Sequence, residues 1–480
     1  MLLPYLDEQS PMATRQADEA MSDHLDKEPT RRLMVSSATC TFHTERPSHP
    51  ALVESPAPVA KLKITKPLRH FPAEIYTHAE SLEHLDLSGT GLSVLPEDFG
   101  RLRKLKVAFF SDCNFSVFPR QLASCPDLEM VAFRGNGMRE VPEASLPPRL
   151  RWLILTNNLI GALPRSIRTC VRLQKCMLSG NQLCDLPEEM ASCRKLGLRL
   201  AANRIEQLPG WLFGLPELAF LSFAGNPCAS SASASECDGS SSGLVNVSFD
   251  DLRVQEVHGE GASGVISKAV WHRGGHAQQV AIKLFKGTVT SDGAPMDEMR
   301  ACIRAGSHAN LIDPLGEICD HSNKGLVMQL IPAHYTTLGL PPSLESCTRD
   351  CFSQTSRLTT AQGLRILQSV ASAAEHLHQR RVAHGDMYAH NILFDEQEHA
   401  LLGDFGAASM YGDGHKMEQL EVLAFAHLME DVWRLIKANF DEGEMRIAML
   451  LAALHRRCSL PVGSERPTFA ELSRSLSEMK

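Results

Sequence analysis

The chain contains 480 residues, which is longer than most single domains, so its length predicts two or three domains. Its formal net charge of −8 at pH 7 argues against the basic surface that nucleic-acid-binding proteins use. The 14 cysteines form no CxxC pair, which argues against a zinc ribbon, and a chain of this length favours buried thiols over a disulfide scaffold.

Residues 1–58 mix Pro, Ser, Thr, His and charged residues without a sustained period, so we expect a disordered N-terminal arm. The opening sequence MLLPYLDEQS is interrupted by Pro4 and followed by acidic residues, which disfavours a signal peptide. No stretch of the chain approaches the roughly 18 uninterrupted apolar residues of a membrane-spanning helix. These features together predict a cytoplasmic protein.

A sequence pattern repeats every 22 or 23 residues within residues 59–228. The units start at Leu82, Leu105, Leu128, Leu150, Leu173, about Lys195 and Leu218. They follow the template LxxLxLxxNxLxxLP, whose alternating leucines predict a short strand with one buried face. The template asparagines, whose amides can satisfy backbone groups where the chain turns, are Asn136, Asn158, Asn181, Asn203 and Asn226. The pattern closely resembles a leucine-rich repeat, which implies an α/β solenoid of horseshoe shape with a return segment after each LP pair.

The strand register places a set of apolar side chains on the concave face of this solenoid. They are Val107, Phe109, Met130, Trp152, Ile154 and Met177. Clustered Trp and Met side chains on one exposed face often mark an interface, so we predict that a protein partner or substrate binds there. The alternative is that they are ordinary apolar surface residues, which every protein has.

Residues 229–246 are rich in Ser and Gly, a composition typical of a flexible linker. The segment contains no apolar span. This excludes a receptor-type arrangement, in which a membrane would separate the repeats from the region that follows.

Two motifs at the start of residues 247–480 are typical of phosphate binding. The sequence VHGEGASGVISKAV contains Gly259, Gly261 and Gly264 in the order GxGxxGxV, flanked by residues that favour strands. A second apolar strand follows instead of a helix, and it ends in VAIK with Lys283. This order predicts a hairpin that covers phosphates and a lysine that pairs with them.

The motifs farther along the chain supply acidic and amide side chains. A predicted helix in DEMRACIRAG contains Glu298, the natural partner of Lys283, with Asp297 as a competitor. A buried strand, GLVMQLIPA, then leads towards HGDMYAHN and DFG. The spacing of Asp386, Asn391 and Asp404 suits a pair of metal ions beside a phosphate chain.

The ordered set GxGxxGxV, VAIK, a helix Glu, HGDxxxxN, DFG and ERPTF resembles a eukaryotic-type protein kinase domain. The resemblance implies an α+β two-lobed fold that binds ATP and Mg²⁺. It assigns the phosphates to Lys283 and the hydroxyl proton to Asp386, with Glu298 supporting the lysine. It assigns the metal ions to Asp404 and Asn391. The remaining nucleotide contacts it implies are Gly259, Glu260, Gly261, Ser263, Gly264, Val265, Ala281, Met328, Leu330 and Leu393.

Several positions depart from the family pattern. Gly385 replaces the arginine that commonly receives a phosphate on the activation loop, which suggests that no such switch exists. Tyr388 stands where Ser/Thr kinases place a lysine, which weakens an inference of Ser/Thr specificity. No APE motif follows Gly406, so the segment that usually docks a peptide is largely missing.

Two structural supports of the family are also altered in this sequence. The acidic residue that braces the HGD loop is either Glu421 or Asp431, and the surrounding pattern favours Glu421. Arg466 in ERPTF has lost its usual glutamate partner and must pair elsewhere.

These motifs predict an ATP-dependent protein kinase, with Ser/Thr favoured over Tyr, whose repeats recruit a partner or substrate. A first alternative is a scaffold that keeps the kinase fold without activity. A second is a small-molecule phosphotransferase, because glycine before the aspartate also occurs in the aminoglycoside and choline kinase type. The GxGxxGxV–VAIK hairpin and the RPTF tail argue against the second alternative.

Overall fold

The computed structural model describes residues 59–230, 244–261, 263–287, 289–320, 323–397, 399–412, 416–436 and 441–479. The predicted arm, residues 1–58, and most of the predicted linker, residues 229–246, lie outside these ranges. Within them, no helix has both the length and the apolar character needed to cross a membrane. The cysteines whose side chains are described form no disulfide, and most of them are buried.

The N-terminal unit is an eight-stranded parallel sheet whose strands follow one another in chain order. The strands are β1 Lys61–Lys63, β2 His84–Asp86, β3 Val107–Phe109, β4 Met130–Ala132, β5 Trp152–Ile154, β6 Lys175–Met177, β7 Gly197–Arg199 and β8 Leu221–Ser222. Pairing is in register, with Leu153 opposite Cys176, for example. The one-strand-per-repeat order confirms the predicted repeat pattern, whereas the horseshoe curvature stays a prediction.

The return segments of the repeats are short 3₁₀ helices. They span Ala73–His78, Glu97–Arg101, Arg120–Ser124, Arg165–Thr169, Glu188–Ser192 and Gly210–Gly214. Each begins directly after a proline, whose fixed φ suits the start of a helical turn. Their apolar side chains, such as Ile167, pack against the middle residue of each strand, such as Leu153, in one buried core.

Asparagine side chains join neighbouring repeats, as the template predicts. Asn158 Oδ1 accepts hydrogen bonds from Asn136 N at 3.1 Å and Met138 N at 2.9 Å. Its Nδ2 donates to Phe133 O at 2.8 Å and Leu155 O at 2.9 Å. A buried amide thus satisfies backbone groups that the turn would otherwise leave without partners.

The C-terminal unit begins with a six-stranded sheet in the order β10-β11-β12-β14-β13-β9. Its strands are β9 Val245–Val247, β10 Leu252–Glu260, β11 Gly264–Arg273, β12 His276–Phe285, β13 Pro314–Cys319 and β14 Lys324–Gln329. Neighbours are antiparallel except β13 and β9. Smaller sheets are formed by β15 Thr336–Thr337, β16 Val382–Ala383, β17 Ile392–Phe394, β18 Ala400–Leu402 and β19 Ser409–Met410.

Helices make up most of the remainder of this unit. A short helix at the end of the repeats, Pro227–Ser230, is α1, and the helices of the C-terminal unit are α2 Pro295–Ala305, α3 Thr360–Gln379, α4 Lys416–Leu435, α5 Glu442–Cys458 and α6 Phe469–Ser477. Capping boxes fix the starts of three helices: Thr359 with Gln362 at α3, Asp441 with Glu444 at α5, and Thr468 with Glu471 at α6. The sheet-then-helix order agrees with the predicted α+β class.

The first and third residues of each repeat strand form what we call the outer face of the parallel sheet. The sequence correctly places Phe109, Met130, Trp152, Ile154 and Met177 on this face, where they form one cluster. The prediction that they are exposed is wrong, because Phe109 is 0 % and Trp152 4 % exposed. The reason is that the C-terminal unit covers them: its Cys347 belongs to the same cluster and Leu344 packs against it.

The apolar interiors of the two units are continuous. Ala383 and Tyr411 of the C-terminal unit belong to the core of the repeats, and Phe220 of the repeats belongs to the core of the C-terminal unit. A shared apolar interior is typical of permanent interfaces. The sheet of the repeats therefore forms a wall of the C-terminal unit.

Substituting Asn158 by Ala should destabilise the repeats, because the backbone groups bonded to its amide lose their partners. We expect the free energy of unfolding to fall by about 1–3 kcal/mol in urea unfolding followed by circular dichroism. The matched control is Asn114→Ala, which removes a single bond to Gly91 O at an exposed position. If both substitutions lowered the free energy of unfolding equally, the stabilising role given to the hydrogen bonds of Asn158 would be contradicted.

Candidate active site

The glycine-rich segment lies at the turn between β10 and β11, as predicted. Gly261 N donates to Gly264 O at 2.8 Å, which closes the turn tightly. Gly264 lies against β12, and a Cβ there would collide with the carbonyl oxygen of Leu284. Only glycine permits this approach. The lysine strand can therefore lie directly beneath the turn.

Lys283 and Glu298 form an ion pair that joins β12 to α2. The side chain of Glu298 is buried and that of Lys283 is 13 % exposed, and the alternative partner Asp297 pairs with Arg300 at 3.0 Å instead. Burial alone would lower the pKa of Lys283, but the carboxylates of Glu298 and Asp404 raise it above its usual value. The ammonium group is therefore held in its charged form at neutral pH.

The residues expected near an adenine ring lie on neighbouring strands. Ala281 of β12 pairs with Met328 of β14, and Leu330 follows the end of that strand. Val265 lies on β11 and pairs with Leu284. Leu393 lies on β17, in a separate buried cluster with Ile331. The structure thus places Ala281 and Met328 opposite each other on neighbouring strands. Contact of any of these residues with a nucleotide stays a prediction.

The HGD segment is a loop between β16 and β17 that holds Asp386 beside Asn391. Asn391 Nδ2 donates to Asp386 Oδ2 and to Asp386 O, both at 2.9 Å. Buried His384 contacts Gly403 O through Nε2 at 3.0 Å, and Gly403 N donates to Asn391 O at 2.9 Å. These bonds place the segment before Asp404 directly next to the loop that contains Asp386.

Asp404 has an exposed side chain and a left-handed backbone, with φ of +59°. Its Oδ1 accepts a hydrogen bond from Gly406 N at 3.0 Å, which fixes the carboxylate. Within the residues described, no group of three or more His, Cys, Asp or Glu side chains could hold a metal by itself. Mg²⁺ prefers oxygen ligands and is usually bound by one or two carboxylates together with phosphates. Asp404 and the amide oxygen of Asn391 are the residues that would hold it.

Glu421 of α4 braces the HGD loop, which confirms the preferred prediction. Its carboxylate accepts from Gly385 N at 2.6 Å and His384 N at 3.1 Å. Burial would raise the pKa of Glu421, but His378, 2.8 Å away, and these bonds lower it below its usual value. The competing Asp431 instead accepts from Arg349 at 2.6 Å.

Arg466 pairs with main-chain oxygens, which confirms the prediction that it has partners other than the usual glutamate. It donates to Leu460 O at 2.8 Å, Gln419 O at 3.0 Å and Pro216 O at 3.4 Å. Pro216 belongs to the repeats. This arginine therefore joins α4 to the N-terminal unit.

Comparisons with known proteins agree with this geometry. Residues 252–426 match the family model described as protein tyrosine and serine/threonine kinase, and residues 81–102 match the leucine-rich-repeat model. The C-terminal unit is a protein kinase domain. It follows a domain of leucine-rich repeats.

Relatives of the kinase domain occur in several organisms. One is a probable serine/threonine-protein kinase, gdt4, of Dictyostelium discoideum, 25 % identical over 36 % of this chain and 10 % of its own length. Another is an activated Cdc42 kinase-like protein of Drosophila melanogaster, 27 % identical over 34 % of this chain and 12 % of its own. A third is the L-type lectin-domain containing receptor kinase V.5 of Arabidopsis thaliana, 36 % identical over 28 % of this chain and 19 % of its own length. The chain thus spans less than a fifth of the length of these relatives.

Gly385 of the kinase domain has a structural reason to be glycine. Its φ is +74°, and a Cβ would lie 2.5 Å from Ala407 O and 3.0 Å from Leu221 O. Leu221 belongs to β8 of the repeats. The main chain of the repeats and of the segment after Asp404 therefore fills the space in which an arginine side chain would begin.

The repeats also contribute a side chain that the sequence did not point to. Arg199 of β7 forms an ion pair with Asp386, donates to Gly385 O at 2.7 Å and lies 3.0 Å from the carboxylate of Asp292. Burial would raise the pKa of Asp386, but Arg199 and, less strongly, nearby histidines lower it below its usual value. Arg199 occupies an ordinary outward position of a repeat, and Asp292 lies in no motif.

A second contact of the repeats covers the residue two positions after Asp386. The ring of Tyr388 stacks on Phe220 with centroids 4.0 Å apart and planes at 8°. Lys175 of β6 lies 4.7 Å from the centre of the Trp152 ring and 5.9 Å from that of Tyr388. The position that Ser/Thr kinases fill with lysine is therefore an aromatic contact between domains here.

Replacing Gly385 by Ala should destabilise the protein, because alanine resists the positive φ and its Cβ meets two carbonyl oxygens. A cost of about 1–3 kcal/mol is expected, seen as a lower melting temperature of the full chain. Gly161→Ala is the control, since no atom lies within 4 Å of a Cβ there. A melting temperature unchanged by Gly385→Ala would mean that the loop adapts freely.

Proposed function

We propose that this protein is an ATP-dependent protein kinase that phosphorylates protein hydroxyl groups, with Ser/Thr acceptors favoured over Tyr. The observation that supports this best is the assembled site: the Lys283–Glu298 pair and the Asp386–Asn391 pair stand in one domain with Asp404. Phosphoryl transfer needs positioned charges more than covalent help, and these are such charges. We further propose domain limits of 59–228 for the repeats and 247–480 for the kinase domain.

On this proposal the glycine-rich turn and Lys283 bind the phosphates of ATP. The Glu298 carboxylate holds the ammonium group of Lys283, so that little rearrangement is needed on binding. Asp404 and Asn391 would hold Mg²⁺, which when bound neutralises charge on the phosphate oxygens. The side chains of Ala281 and Met328 would contact the adenine from adjacent strands.

Asp386 would orient the acceptor hydroxyl and accept its proton. Its two oxygens are held by Arg199 and Asn391, which fixes the direction of the carboxylate. Each oxygen has a further lone pair, so a hydroxyl can still donate to it. Its side chain keeps 17 % exposure, which leaves an approach for such a hydroxyl.

The preference for Ser/Thr rests on family likeness alone. One relative is named a serine/threonine-protein kinase, whereas Tyr388 replaces the lysine expected of that class. We propose a cytoplasmic location on the same footing, from the sequence features given above.

Recruitment of a partner by the outer face would be restricted to its uncovered end. A cavity of about 360 Å³ lies there, between the early repeat strands and the Leu344–Glu345 segment. Its charged lining residues are Lys61, Glu83, Lys106, Glu129, Arg151 and Glu345. Charges of both signs fit a polar protein segment better than a purely apolar one.

A small-molecule phosphotransferase is the second candidate. It is favoured by the short connection between Asp404 and α4, which starts at Lys416, and by the repeat sheet that faces Asp386. Both features reduce the surface on which a peptide could dock. A small alcohol would need less room.

Asp386→Ala should abolish phosphotransfer while ATP binding survives, because the group that accepts the proton is removed. We expect kcat to fall by about 10²–10⁴-fold, measured with the full chain, Mg·ATP and a degenerate peptide library. Asp127→Ala, at an exposed pair with Arg149, serves as control. Unchanged activity in Asp386→Ala would exclude this mechanism.

A metabolite panel of sugars, aminoglycosides and choline-like alcohols should be tested beside the peptide library. Turnover of peptides alone supports the protein kinase, and turnover of metabolites alone supports the second candidate. Failure of the full chain to bind Mg·ATP in calorimetry would favour an inactive scaffold.

Lys283→Met should lower kcat by about 10²–10³-fold, because a charge that stabilises the transferring phosphoryl group is lost. The measurement is phosphotransfer at saturating ATP, together with the melting temperature to confirm folding. Lys324→Met, at the exposed first residue of β14, is the matched control. A fall of equal size in the control would show that the effect is not specific to the site.

A further inference from the structure

Arg199 uses the three nitrogens of its guanidinium group on three different acceptors. Nη2 pairs with Asp386, Nη1 donates to Gly385 O at 2.7 Å, and Nε lies 3.0 Å from Asp292 Oδ1. The residue is 8 % exposed. A buried guanidinium whose three nitrogens each have an acceptor holds those acceptors in one geometry.

The strand that bears Arg199 is fixed relative to the kinase domain. The Ser409 hydroxyl accepts from Phe223 N at 2.9 Å and Ala224 N at 3.0 Å, which anchors the segment after Asp404 to the repeats. On the other side, Ser179 Oγ donates to Ser291 O at 2.6 Å, beside Asp292. Together with the continuous apolar interior, these bonds make Arg199 a permanent neighbour of Asp386.

The contact between Arg199 and Asp386 is present together with the other ion pairs and hydrogen bonds of the site. With Arg199 in place, the Lys283–Glu298 pair is formed and Glu421 braces the loop. Asp386 is still partly exposed. The contact therefore orients Asp386 without closing it off.

We propose that Arg199 is a positioning residue for phosphoryl transfer, a cation supplied by the repeats that sets the geometry of Asp386. The inference rests on the function proposed above, because it gives Asp386 the role of receiving the acceptor hydroxyl. It means that the repeat domain is part of the active site and not only a recruiting module.

The charges around Asp386 explain why a cation is needed at this place. Asp386 and Asp292 both face Arg199, and without it two partly buried carboxylates would repel each other across the gap. Lys175 is farther away, over the rings of Trp152 and Tyr388. A lysine at position 199 would restore the charge but could not reproduce three directed bonds.

The test compares Arg199→Met and Arg199→Lys with wild type in the full chain. Phosphotransfer to the degenerate peptide library is measured over a range of Mg·ATP concentrations. We expect Arg199→Met to lower kcat by about 10²-fold, because misplacing a reacting group by about 1 Å costs this much. The KM for ATP should stay near the wild-type value, and Arg199→Lys should fall between the two. Arg204→Met, an exposed arginine of the same repeat domain, should behave as wild type.

A double variant separates positioning from a general loss of structure. In Arg199→Met with Asp292→Asn the repulsion is relieved, so kcat should recover part of the loss. Folding is checked by the melting temperature, and if Arg199→Met does not fold, Arg199→Lys decides.

The proposal is overturned if folded Arg199→Met, or Arg199→Lys where that variant decides, retains the wild-type kcat. A higher kcat would also overturn it, and would mean that the contact inhibits the enzyme. Failure of the proposed function looks different: wild type and Asp386→Ala would then be equally inactive on every acceptor.

Discussion

The packing of the outer face of the repeat sheet against the HGD loop is the constraint on which the rest of the structure depends. A Cβ at position 385 would lie 2.5 Å from Ala407 O of the kinase domain and 3.0 Å from Leu221 O of the repeats, so the loop must have glycine there. The ring of Phe220 stacks on Tyr388, so that position is aromatic. Two departures from the kinase pattern, which look independent in the sequence, thus both involve the repeats. Gly385 and Tyr388 both lie at the contact between the two domains.

The same contact redistributes charge around Asp386. An arginine before this aspartate and a lysine two residues after it are both absent from the loop. Positive charge comes instead from the repeats, through Arg199 and, farther away, Lys175. Burial of Lys175 lowers its pKa, whereas Arg199 stays charged between two carboxylates. If Asp386 and Arg199 act as proposed, loss of the repeats would remove a residue that the site needs.

Local patterns explain which features the sequence could predict. Four features follow from spacing within a motif, and the structure agrees with each of them. They are the register of the repeats, the hydrogen bonds of Asn158 between repeats, the Lys283–Glu298 ion pair and the bonds of Glu421 to the HGD loop. The docking of the two domains could not be predicted in this way, because it joins residues far apart in the chain. The register therefore places Trp152 on the correct face but wrongly predicts that it is exposed. The alternation of side chains along a strand shows which face each one lies on, but its burial depends on what packs against that face.

The short segment after Asp404 follows from the same packing. In kinases with a longer segment, a phosphate paired with the arginine of the loop commonly orders the chain. Here β19 pairs with β16, and the Ser409 hydroxyl accepts two backbone hydrogen bonds from the repeats. Main-chain bonds to a neighbouring domain need no modification to form, and they already occupy the Ser409 hydroxyl. The bonds of Ser409 therefore order this part of the segment against the repeats without a phosphate.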